Sequence, residues 1–107
     1  MQDKELERQA AQLTADTGTI VRMLVLSGFQ FTRLTSIRDA TVGSMNRRAL
    51  CDAVDYLTDG GYIELRTSAE GRPGRVADIP MESLEAKLTQ KGRQLALHKL
   101  TDPLVDA

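Results

Sequence analysis

Residues 44–63, SMNRRALCDAVDYLTDGGYI, are the stretch whose reading decides the fold. Leu50, Val54 and Leu57 recur at i, i+4 and i+7, which puts them on one side of a helix. Ala49 and Ala53 widen that stripe, while Asn46, Arg47, Cys51, Asp52 and Asp55 fall mostly on the other side. Ser44 is expected as the N-cap, because its hydroxyl oxygen can accept a free backbone N–H of the first turn. Gly60 and Gly61 stop the helix, since glycine takes the left-handed conformation past a helix end without a Cβ clash. Tyr62, Ile63 and Leu65 then read as a strand. The stretch is a capped amphipathic helix over 44–59, a glycine stop and a strand, with two arginines near the helix start.

Upstream, residues 2–13 have high helix propensity and a thin apolar stripe of Leu6, Ala10 and Leu13, so this helix needs a partner surface. Asp16 is expected to cap a second helix starting at Thr17. Ile20, Val21, Leu24 and Val25 follow at helical spacing, and apolar residues on most sides make this a central, buried helix. Ser27-Gly28 ends it, and Phe29 and Phe31 flank Gln30 in a short extended segment. Residues 32–40 predict a third, short helix with Leu34 and Ile37 facing the core. Thr41-Val42-Gly43 is a compact turn into the helix at Ser44. Two short helices joined by a tight glycine-containing turn have the form of a helix-turn-helix.

Downstream, the strand 62–66 leads into residues 67–74, TSAEGRPG, whose glycines and proline mark an exposed loop. Residues 76–79 are a short apolar run ended by Pro80. Leu84, Ala86 and Leu88 alternate in a returning strand over 83–88. Thr89 caps the last helix, within LTQKGRQLALHKL, and Asp102-Pro103 ends the fold ahead of a mobile tail.

The order helix, helix, turn, helix, strand, loop, strand, helix resembles a winged helix-turn-helix domain, as in small bacterial transcriptional regulators of the MarR, PadR and ArsR type. Two segments carry the likeness. Leu50-x3-Val54-x2-Leu57-x3-Gly61-Tyr62-Ile63 looks like a recognition helix running into a wing. Leu88-Thr89-Gln90-Lys91-Gly92-Arg93 is similar to the "LTxKG" that opens the helix after the wing in many such regulators. The likeness covers about residues 17–100. The fold class it implies is α+β, mainly α with a small β-hairpin and extra N-terminal and C-terminal helices. The organisation is an N-terminal helical extension over 1–14, a winged-helix domain over 15–101 and a tail over 102–107.

A chain of 107 residues, 41% hydrophobic and 27% charged, is one globular domain with a modest core. The absence of Trp, with two Phe and two Tyr, makes that core aliphatic. A formal net charge of −1 gives nucleic-acid binding no support by itself, so any basic surface must be local. One cysteine, Cys51, excludes an intramolecular disulfide, and the single histidine, His98, has no second ligand candidate nearby. The longest apolar run, residues 23–26, is too short to span a bilayer. The polar, acidic start is unlike a signal peptide. A cytoplasmic protein is expected, with no cofactor and no metal. No nucleophile–base pair, phosphate-cradling glycine loop or paired catalytic carboxylate stands out, so an enzyme is not expected.

The resemblance implies DNA-contacting residues at Ser44, Asn46, Arg47 and Arg48, where the first turn of a recognition helix meets base edges and phosphates. Arginine pairs bidentately with guanine and asparagine with adenine. Arg66, Arg72 and Arg75 flank the GRPG loop, where a wing places arginine on phosphate or in the minor groove. Arg33 and Arg38 lie on the supporting helix, and Arg38 completes the expected set. Each of these also reads as an ordinary solvated charge, as do Glu82 and Glu85. Asp52, Asp55 and Asp59 would repel phosphate, so only the first turns of the helix could approach DNA. Cys51 reads as a plain thiol. The expectation is a homodimeric, duplex-DNA-binding transcriptional regulator. The alternative is a winged-helix module that binds another protein, as in phage or multi-subunit assemblies, favoured by the near-neutral charge and the aspartates.

Overall fold

The computed structural model describes residues 2–106. The fold is mixed α and β, with the order α1 (Gln2–Leu26), β1 (Thr32–Arg33), α2 (Leu34–Ala40), α3 (Arg47–Asp59), β2 (Ile63–Thr67), β3 (Leu84–Leu88) and α4 (Gln90–Ala96). The three strands form one antiparallel sheet in the order β1-β3-β2. Ile63 faces Leu88, and Leu65 faces Ala86. Thr32 adds to the outer edge of β3, also opposite Ala86.

The two amphipathic readings hold. Leu50, Ala53, Val54 and Leu57 of α3 are all buried. Along β3, Leu84, Ala86 and Leu88 are buried while Glu85 and Lys87 are not. The sheet thus turns one face to the helices and one outward, as period-2 alternation requires. Ile20, Val21 and Leu24 of α1 and Leu34 and Ile37 of α2 complete a core with no access to solvent at these positions.

The glycine stop of α3 is a Schellman motif. Gly60 caps the helix and Gly61 takes φ 77°. The Tyr62 N–H then donates to the Leu57 carbonyl (2.9 Å) and the Gly61 N–H to that of Thr58 (3.0 Å).

Four local expectations are corrected. First, residues 2–13 and the helix after Asp16 are one 25-residue helix, about 37 Å long at 1.5 Å per residue. Asp16 is not a cap; it is buried and accepts from Gln12 Nε2 (2.9 Å). Burial raises its carboxyl above the ordinary range, against the pull of Gln12. The threonines stay helical by bonding back one turn: Thr14 to the Ala10 carbonyl (2.7 Å) and Thr19 to that of Ala15 (3.0 Å). Second, Phe29 is not extended but left-handed, at φ 63°, and the strand starts at Thr32. Third, α4 stops at Ala96 because His98 turns left-handed at φ 60°. Leu97 is consequently 64% exposed.

Fourth, the tail past Asp102 is docked. Tyr62 Oη (2.7 Å) and Tyr56 Oη (2.9 Å) both donate to the Asp102 carboxylate. Val105 is buried, Thr17 Oγ1 donates to the Leu104 carbonyl (2.7 Å), and Arg22 Nη1 to that of Asp106 (2.6 Å). Gly18 sits mid-helix because a Cβ there would overlap the Asp106 carbonyl. No helix among the described residues is long and apolar enough to cross a membrane.

The phenol–carboxylate cluster sets a pH dependence. Burial pushes the Asp102 carboxyl up, but hydrogen bonds from Tyr62, the Leu104 N–H and Tyr56 outweigh it and hold it below the usual range. The same bond to Asp102, with burial, pushes the Tyr62 phenol up to about 12. A depressed carboxyl contributes stability above its unfolded value of about 3.9 and loses it as pH falls through its folded value. Asp102→Asn is therefore expected to lower urea stability at pH 7 by about 1–3 kcal/mol, the cost of losing charged hydrogen bonds. Its deficit against wild type should shrink below pH 4. An equal deficit at pH 7 and pH 2.5 would refute the role of the carboxylate.

Candidate nucleic-acid interface

The start of α3 is built differently from the simplest capping pattern. Asn46, not Ser44, is the N-cap: its Oδ1 accepts from the Ala49 N–H (2.7 Å). Ser44 remains in the preceding turn, where its hydroxyl donates to the Thr41 carbonyl (3.1 Å). Met45 between them is buried, as is Leu50. They stand at the N′ and N4 positions of a hydrophobic staple, and burying Met45 fixes the register in which Asn46 caps.

Arg47 is the first residue of α3 and forks onto Glu82, with Nη1–Oε2 at 2.7 Å and Nη2–Oε1 at 3.0 Å. Arg38, from the last turn of α2, reaches the same carboxylate at 3.2 Å. Glu82 lies in a one-turn 3₁₀ segment, Met81–Ser83, that leads into β3. Two cations from the two helices thus share one acid. The hydrogen bond from Arg47 is the largest of the effects that hold the Glu82 carboxyl down at about 2. Arg48 is exposed and has no carboxylate within salt-bridge distance among the described residues.

The residues between β2 and β3 do not form a plain hairpin loop. The chain first makes a tight turn, with the Thr67 N–H donating to the Arg72 carbonyl (2.7 Å). It then runs back along the free edge of β2, where Pro73 bridges to Arg66. Arg72 stands at the turn, paired with Glu70 (3.0 Å). Arg75 folds over α3 and bonds both Asp55 and Asp59. Arg66 points to the outer face of the sheet: Nε is 2.5 Å from Glu85 Oε1, and the guanidinium lies 3.5 Å from the centre of the Phe31 ring. Arg33 is exposed, with Nη2 3.4 Å from Ser68 Oγ.

Arg38, Arg47, Asn46, Ser44 and Arg48 therefore gather around the turn between α2 and α3. Arg72 lies at the loop tip. Arg75 belongs to the far half of α3, and Arg66 to the opposite face of the sheet. Glu82 and Glu85, expected as solvated charges, are instead the partners of Arg47, Arg38 and Arg66. Residues 35 and 19 positions apart meet in these pairs, so no local pattern announces them. Beside α3, an open groove against α1 is lined by Asp16, Asp52, Asp55 and Asp59, and by Arg48 as well. Burial raises the Cys51 thiol, which makes it less reactive than an exposed one. Among the described residues no cluster of His, Cys, Asp and Glu is arranged to hold a metal.

Comparison of the chain with family models, with curated proteins and with solved structures yields no match.

The capping geometry is directly testable. Asn46→Ala is expected to cost about 0.5–2 kcal/mol in urea denaturation, the range for a lost N-cap. Ser44→Ala should cost less. The reverse order would return the cap to Ser44.

Proposed function

We propose that the chain is a winged helix-turn-helix protein that binds duplex DNA through the start of α3, as a cytoplasmic, non-enzymatic transcriptional regulator. One observation carries this reading. Arg38 and Arg47, from the two helices of the helix-turn-helix, converge at the entry to α3, next to Asn46 and Arg48. In a helix-turn-helix the second helix enters the major groove by its N-terminal end while the first crosses the backbone. β1, inserted between α1 and α2 and paired to β3, supports the winged-helix topology because it ties the helix pair to the sheet.

A specific observation favours a second reading. Asp52, Asp55 and Asp59 of α3 line the groove against α1 together with Asp16, and although Arg75 pairs with Asp55 and Asp59, no described cation pairs with Asp16 or Asp52. Phosphate is repelled there, and a basic segment of a partner protein is not. In the first reading, the contact that α3 itself makes with DNA is confined to its first turn.

Self-association belongs to the same proposal. Leu26 is 86% exposed and Leu97 64%, and Val25, Leu26 and Ala96 line one apolar cleft. An isologous contact would cover it. Leu26→Asp/Leu97→Asp is expected to shift a dimeric sedimentation profile to monomer. A wild type that sediments only as monomer at micromolar concentration removes the dimer.

The function is tested by titrating random-sequence duplex at low salt. Wild type should bind, and Arg47→Ala/Arg48→Ala should bind more weakly. Its salt slope should fall by about one unit for each phosphate that the missing guanidinium groups no longer neutralise. Failure of the wild type to bind any duplex at low salt would displace this reading in favour of the protein-binding one.

A further inference from the structure

Resting on the duplex-binding reading, we propose that Glu82 is a built-in competitor for the DNA phosphate at Arg47 and Arg38, and that it thereby suppresses binding to random sequence. The carboxylate occupies the two-pronged position that a phosphate takes on an arginine fork, since both anions accept two parallel N–H bonds from one guanidinium. Both prongs are formed, at 2.7 and 3.0 Å, and Arg38 adds a third bond at 3.2 Å.

The competitor is anchored and yet displaceable. Its neighbours Met81 and Leu84 are buried, and the Ser83 N–H closes the turn on the Pro80 carbonyl (2.9 Å), so the Glu82 backbone is held in place beside α2. The side chains themselves face solvent: Arg47 is 58% exposed and Glu82 44%. A phosphate can therefore reach the fork, and the Glu82 side chain can swing into water.

The consequence for selectivity follows from counting charges. Non-specific binding comes almost entirely from cations that neutralise phosphates and release counterions. At Arg47 and Arg38 a random duplex offers only an exchange of one anion for another, with little net gain. A duplex that also satisfies base-edge contacts at the start of α3 has additional interactions to offset the release of Glu82. Penalising the wrong partner in this way raises specificity without adding a contact to the right one.

The test compares wild type, Glu82→Gln, Arg38→Ala/Arg47→Ala, and the triple variant on random duplex across a salt series. Circular dichroism and thermal midpoints check that each is folded. Glu82→Ser is run in parallel as a second way to remove the carboxylate. Both Glu82 variants are expected to tighten binding by up to about fivefold at low salt, the scale of an exposed ion pair that no longer has to be broken. Their salt slope should steepen by about one unit. The gain should vanish in the triple variant. Unchanged affinity in the Glu82 variants of a wild type that binds would overturn the competitor role alone. So would a gain that persists without Arg38 and Arg47. Absence of binding by wild type and Glu82 variants alike would instead overturn the duplex-binding reading.

Discussion

The constraint on which the structure depends is the junction where the end of α3 meets the start of α4. The Schellman turn directs the carbonyls of Gly60, Gly61 and Tyr62 away from α3. The entry to α4 supplies their donors: Lys91 Nζ to Gly60 (2.8 Å), Thr89 Oγ1 to Gly61 (2.5 Å) and the Thr89 N–H to Tyr62 (3.0 Å). Thr89 also caps α4 by accepting from the Gly92 N–H (3.1 Å). Gly92 is required because a Cβ there would overlap the Tyr62 carbonyl. This junction places Ile63 opposite Leu88 and so sets the register of β2 on β3. A slip of one residue would turn Leu65 and its partners out of the core. The two sequence segments that carry the winged-helix resemblance are the two halves of this one contact.

What was legible in the sequence was local. The Leu50, Val54 and Leu57 stripe, the Gly60-Gly61 stop, the alternation of β3 and the Thr89 cap each involve residues within a few positions of one another. Their physics does not depend on the rest of the chain. The failures share the opposite property. Asp16, with Thr17 behind it, has the form of a helix start, yet the Leu104 and Asp106 carbonyls dock on Thr17 and Arg22 across 87 and 84 positions. That packing needs an unbroken helix as its floor. Asp102-Pro103 has the form of a chain end, but two phenol hydroxyls 46 and 40 positions upstream make Asp102 an anchor. Ser44 and Asn46 are both good caps, and the choice between them lies in the tertiary setting, where Met45 is buried and the Ser44 hydroxyl is engaged with the Thr41 carbonyl.

The candidate site was half legible for the same reason. The grouping of the arginines at the α2–α3 turn was legible by position, because two short helices and a tight turn bring Arg38 and Arg47 together. Their acidic partners were not. With 14 basic and 15 acidic side chains in the chain, near-neutrality could mean two separate patches or pair-by-pair cancellation. The fold shows cancellation around the α2–α3 turn and the loop, Arg38 and Arg47 with Glu82, Arg38 also with Asp39, Arg72 with Glu70, and Arg75 with Asp55 and Asp59, and again on the far face of the sheet, Arg66 with Glu85.

Cancellation of this kind distributes charge unevenly along α3. Arg75 ties the loop down onto Asp55 and Asp59, which masks charge at the C-terminal half of the helix and pulls the returning chain against it. Only Arg72 is left at the tip of the loop, 78% exposed, and it too has an acid beside it. The cation on this side that the described salt bridges leave unpaired then stands at the entry to α3. There Arg48 carries its charge with no carboxylate partner among the described residues, and the free N–H groups of the first helical turn add their own partial positive charge. Glu82 is the acid that cancels its neighbours. In the proposed reading, the choice between phosphate and a basic protein segment turns on this one turn of helix, on the balance between Arg48, Arg47 and Arg38 on one side and Glu82 and Asp39 on the other.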